Sequence, residues 1–152
     1  MKKVLFFGAL LAFAGVATAG NALDIAGRAS FAEQRDQVMA DLADGETYAE
    51  ISAEDRAEVV ASLGRMERMI GDSAPASLHP DARVALMNEQ EKVNTILTQA
   101  GQDSRMICNR ETTVGTRMPT TVCRTVAERR RLRDNSRQQF EAAGRGRANT
   151  IL

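Results

Sequence analysis

Cys108 and Cys123 are the only cysteines of the chain, and 14 residues separate them around a Gly115-Thr116 pair. A Gly-X pair suits the two-residue type II′ turn that joins antiparallel strands. Folding the segment about that pair sets Cys108 opposite Cys123 and Thr112 opposite Pro119. Turn and cysteine spacing are independent signals, and they agree on a hairpin closed by one disulfide. Two details resist a regular ladder. Counted outward from the turn, Pro119 falls on a hydrogen-bonded position although it has no N–H to give. The cysteines also fall on a hydrogen-bonded pair, where the strands lie farther apart. A bulge or slip near Met118-Pro119 relieves the first conflict. The expectation is a short, irregular hairpin at about residues 104–124. The CxxC spacing of redox-active pairs is absent, so the bond reads as structural.

A disulfide needs an oxidising compartment, and the start of the chain supplies a route to one. Met1-Lys2-Lys3 is a positive n-region, Val4 to Val16 is an uncharged apolar run, and Ala17-Thr18-Ala19 has the small-x-small form of a cleavage site. The run has 13 residues, short of the ~20 that a membrane span needs. Residues 1–19 are therefore expected to be a signal peptide, removed before Gly20, and the mature chain is expected to lack a transmembrane segment. Such a protein is periplasmic or secreted. The 133 residues after Ala19 fit a single domain.

Hydrophobic periodicity predicts a mainly α fold: three amphipathic helices, the hairpin, and a C-terminal helix. Ser30 with Glu33 forms a capping box, followed by Phe31, Val38, Met39 and Leu42 on one face, with a stop at Gly45. Tyr48 and Ile51 lead into a second start at Ser52, followed by Val59, Val60, Leu63, Met66, Met69 and Ile70, with a stop at Gly71. Pro80 suits a first helical position. It opens a third helix carrying Leu86, Met87, Val93, Ile96, Leu97 and Ala100, expected to end at Gly101. Thr125 and Glu128 form a capping box for the fourth helix, expected to reach Ala143. The domain then spans 20–143, and residues 144–152 form a flexible tail.

The segments Asn88–Thr98, Asp103–Glu111, Val114–Arg117 and Val122–Arg129 resemble a family of small exported proteins of Gram-negative bacteria, of uncharacterised function. The resemblance covers Leu86 to Phe140. It implies export and a disulfide, and it implies no activity, cofactor or catalytic residue.

Most residue types that carry chemistry are missing or isolated. His79 is the only histidine and stands in Leu78-His79-Pro80-Asp81 with no nucleophile motif nearby. Zinc needs about four ligands, usually Cys or His, which the chain lacks. Asp41, Asp44 and Glu46, and then Glu54, Asp55 and Glu58, lack the alternating pattern of a calcium loop and read as helix-end solvation. Met39, Met66, Met69 and Met87 sit on apolar stripes and read as core packing. No catalytic, metal or cofactor site is expected. A hydrolytic enzyme with a carboxylate-based site not visible in sequence is the alternative reading.

Charge is the remaining signal. Residues 20–102 hold 7 basic and 15 acidic residues, a net of −8, whereas residues 103–152 hold 11 arginines and 5 acids, a net of +6. Arg129, Arg130, Arg133 and Arg137 form a basic ridge along the fourth helix, with Arg131 adding charge. Such like-charge pairs repel by roughly 0.2–0.5 kcal/mol each, and Arg130–Asp134 and Arg137–Glu141 are expected to offset part of this. The ridge either docks on the acidic half of its own chain or meets an outside partner, an acidic envelope protein or another anionic envelope component. It lacks base-stacking aromatics, which argues against sequence-specific nucleic-acid binding. The expected role is that of a small exported interaction or structural module.

Overall fold

The structure, a computed structural model, describes residues 22–27, 29–112, 114–115 and 117–148, with side chains up to residue 144. The expected leader 1–19, the turn residue Thr116 and the end of the expected tail, residues 149–152, lie outside the described residues.

The described chain is mainly helical: α1 (Phe31–Ala43), α2 (Ala53–Ile70), a 3₁₀ turn (Pro75–Ser77), α3 (Pro80–Ser104), β1 (Met106–Thr112), β2 (Pro119–Thr125) and α4 (Val126–Ala148). The helix starts follow their caps. Ser30 Oγ accepts from Glu33 N at 3.3 Å while Ser30 N donates to Glu33 Oε2 at 2.9 Å. Ser52 Oγ accepts from Asp55 N at 2.9 Å, and Pro80 occupies the first turn of α3 behind His79. Gly71 closes α2 at φ +52°, a conformation that disfavours a side chain.

Val59, Leu63 and Met66 of α2 and Leu86, Val93 and Leu97 of α3 form the centre of the core, joined by Val38 and Leu42 of α1 and by Tyr48. Met39, Val60 and Met87, expected in the stripes, are exposed instead. The α2–α3 pair buries one side of each helix, and Val60 and Met87 fall beyond its edge. Polar groups stitch the same pair together. Arg65 donates to Glu58 and Glu89 at 2.8 Å each, and Lys92 lies 3.3 Å from Glu58. Arg65 holds the Glu89 carboxyl far below its ordinary value, at about 2, with Ser62 adding a hydrogen bond.

Leu23 completes the body, and no periodic pattern marked it. It is buried in the core, and its backbone is gripped by α3. Leu23 N donates to Asn94 Oδ1 at 2.7 Å, Asn94 Nδ2 donates back to Leu23 O at 2.9 Å, and Ile25 N donates to Gln90 Oε1 at 2.9 Å. The two amides give this extended segment the hydrogen bonds that a neighbouring strand would otherwise supply.

The hairpin has the expected register, from Met106↔Thr125 through Cys108↔Cys123 to Thr112↔Pro119. The disulfide is present. Among the described residues no bulge interrupts the seven pairs, which are continuous up to Thr112↔Pro119. The reason is the phase of the ladder. Val126 N donates to Arg105 O at 3.1 Å, so that flanking pair is hydrogen-bonded. Hydrogen-bonded and non-bonded pairs alternate, which makes Cys108↔Cys123 and Thr112↔Pro119 both non-bonded. The 3.9 Å Cα separation of the cysteines belongs to this narrower class. Pro119 therefore gives up no ladder bond and simply starts β2.

Two helix ends differ from expectation. α3 passes Gly101 and ends at Ser104. A mid-helix glycine costs only about 1 kcal/mol, and the residues beyond it are held by tertiary bonds. Ser104 Oγ accepts from Glu50 N at 2.9 Å, and Asp103 is bound by Arg130. α4 runs to Ala148, past Ala143.

Candidate functional site

The base of α4 is built from three segments distant in sequence. Thr125 Oγ1 accepts from Glu128 N at 3.0 Å, as an N-cap should. The same hydroxyl donates to Glu50 Oε1 at 2.6 Å. Arg131 closes on that carboxylate, donating at 2.8 and 3.3 Å. The adjacent Arg130 donates to both oxygens of Asp103 at 3.1 Å. Both carboxylate side chains are only 16% exposed. Arg131 and Thr125 hold the Glu50 carboxyl below its usual range, and Arg130 with Gln99 does the same to Asp103. Ala127 lies between these pairs and is buried.

These contacts divide the expected ridge. Arg130 turns to the body and is paired. Arg129, half-buried, and Arg133 and Arg137, exposed, have no ion pair among the described residues. Neither of the expected pairs, Arg130–Asp134 and Arg137–Glu141, closes as an ion pair: Asp134 acts on Arg130 only through its nearby charge, while the covered Asp103 carboxylate takes its hydrogen bonds. Arg131, which the sequence marked only as additional charge, is an anchor. From Arg130 to Gly144 every residue is exposed. Phe140 is 81% exposed and Leu132 47%.

The other candidate residues have structural partners. His79 caps α3, its Nδ1 accepting from Asp81 N at 3.4 Å. Asp44 accepts from Glu46 N at 2.7 Å and Thr47 N at 3.0 Å, closing the turn after α1. Asp55 belongs to the Ser52 cap and Glu58 to the α2–α3 network. Among the described residues no group of three His, Cys, Asp or Glu side chains is placed to hold a metal ion, and no helix is long and apolar enough to cross a membrane. An open groove of about 1150 Å³ runs beside the base of α4, lined in part by Asp41, Glu46, Tyr48, Asp103 and Arg130. Burial, with the nearby Asp41 and Asp44 carboxylates, raises the Tyr48 phenol.

Glu50 and Asp103 are the residues that sequence reasoning missed. Glu50 lies 81 positions from Arg131, and no local pattern marks a partner at that range. Compared with protein-family models, with curated proteins and with solved structures, the chain finds no match.

Proposed function

We propose that the protein is a small exported interaction module of the bacterial envelope, in which a three-helix body displays α4 to a partner. One observation carries this reading: beyond Arg131 every residue of the helix whose side chain is described, up to Gly144, is exposed. An amphipathic helix in a protein of this size ordinarily derives its stability from a packed face. α4 instead leaves Leu132 and Phe140 exposed beside Arg133 and Arg137.

Export rests on the leader pattern, and the disulfide is compatible with it. The resemblance to small exported proteins points the same way. The titration behaviour favours binding over carboxylate catalysis. A general acid needs a raised carboxyl pKa near the working pH. Here the carboxyl groups that depart clearly from their ordinary values all fall, with Glu50, Glu58, Glu89 and Asp103 each tied to arginine or lysine.

Photo-crosslinking residues placed at Arg133 and at Phe140 in living cells test the proposal, with Ser73 on the body as control. Adducts from the two α4 positions and none from Ser73 support it. An α4 that gives no adduct, or no more than Ser73 gives, overturns it.

A further inference from the structure

We infer that the outward face of α4 docks on an anionic phospholipid surface. The inference rests on the reading of α4 as the recognition element and names what it recognises.

The body contacts at Ala127, Arg130 and Arg131 fix which side of the helix faces inward. Helical periodicity continues that side through Asp134, Gln138 and Glu141. The opposite side carries Arg129, Leu132, Arg133, Ser136 and Phe140, and Arg137 lies on its border, seven residues and so about 20° from Arg130. Both acids beyond the base thus fall on the inward side, and the outward side carries Arg129 and Arg133, bordered by Arg137, with no acid beyond the base. Arg129, Arg133 and Arg137 stand at four-residue steps, a spacing that destabilises an isolated helix. No carboxylate among the described residues relieves it. A surface with phosphate groups would, because the planar guanidinium donates to two phosphate oxygens at a time.

The apolar content of the face selects the kind of anion carrier. Leu132 and Phe140 are its only large apolar side chains, with Ser136 between them. That is little for the dry centre of a protein interface, which buries ~800 Å² on each side. It suits a helix lying in a lipid headgroup layer, where a few apolar side chains reach the acyl boundary and arginines stay at phosphate level. Such binding is reversible, and each arginine contributes about fivefold in affinity.

Flotation of the disulfide-bonded protein with vesicles tests this. One set contains phosphatidylglycerol with phosphatidylethanolamine, and the other is pure phosphatidylcholine. Binding to the first set alone is expected, weakening steeply as salt rises. The R129Q/R133Q/R137Q variant should bind on the order of 100-fold more weakly, and Phe140→Ser should also lose binding, with the body's melting temperature unchanged in both. Equal binding to the two vesicle types, undiminished binding by the triple variant, or no binding at all overturns the inference. If vesicles fail while α4 still crosslinks to a protein in cells, the partner is an acidic protein and only the lipid inference falls. If both fail, the interaction reading falls with it.

Discussion

The three-helix body and the arm formed by the hairpin and α4 are held by different forces. The body closes over Val59, Met66, Leu86 and Val93, all fully buried. In the arm, Ala127 is the one buried apolar residue among those described. A disulfide, a seven-pair ladder and two covered carboxylates hold it in place of a core. Burial is non-directional and tolerates sliding, whereas a disulfide and charge-assisted hydrogen bonds fix direction. The arm is therefore oriented firmly at its base while its far surface stays free. The two regions should also fail separately, and that is open to measurement.

The largest contrast comes from one change in each region. Leu86→Ala should cost the body about 2–5 kcal/mol, because α2 and α3 cannot fully collapse into the space left. Replacing both cysteines by serine should cost roughly 3 kcal/mol, set by the length of the loop closed. Hydrogen exchange should place the second loss in residues 106–125 and leave the protection of Val59 and Val93 intact. Equal loss across both regions would show that body and arm form one cooperative unit.

Glu50→Ala should come next. It removes the acceptor for both Thr125 and Arg131, and bonds to a charged group contribute about 1.5–3 kcal/mol each at most. The expected result is faster exchange over residues 126–131 with the body little changed. Unchanged exchange there would mean that the hairpin alone positions α4.

Acid should undo the same contacts reversibly. The folded-state values of Glu50 and Asp103 lie below their ordinary 4.5 and 3.8, so the unfolded state binds more protons as pH falls. Their contribution is complete above about pH 4.5 and is lost as pH drops through the folded values. In the body, Glu89 loses its contribution between 4.5 and about 2. Exchange measured from pH 5 to pH 3 should therefore show α4 loosening, and Glu50→Gln should flatten its share of that slope. A flat wild-type profile would contradict the assignment.

The smallest effect belongs to the free side of the arm. Arg133→Gln with Arg137→Gln should shift stability by less than about 0.5 kcal/mol, as for surface sites without partners. A clear fall in melting temperature would reveal an internal docking contact for these arginines.

Much of this architecture was legible locally. Ser30, Ser52 and Thr125 announce helix starts because a cap and its partner lie within three residues, and the cysteine spacing carries its own register. Helix ends were less legible. α3 outlasts Gly101 because Glu50 and Arg130, distant in sequence, hold the turn beyond it. The ridge on α4 was visible as a run of arginines, but its division into anchors and free groups was not.

Local sequence is enough to specify the helices, the pairing of Cys108 with Cys123 and the excess of arginine on α4, since each depends on neighbours within about one turn or one hairpin. Packing across the fold settles that Leu23 completes the core, that Pro119 costs the ladder nothing, and that Arg130 and Arg131 meet Asp103 and Glu50 while Arg133 and Arg137 stay exposed. Those outcomes depend on which groups meet across the fold. An ion pair has no sequence period, and its partner is chosen by the packing that brings two distant segments within about 3 Å.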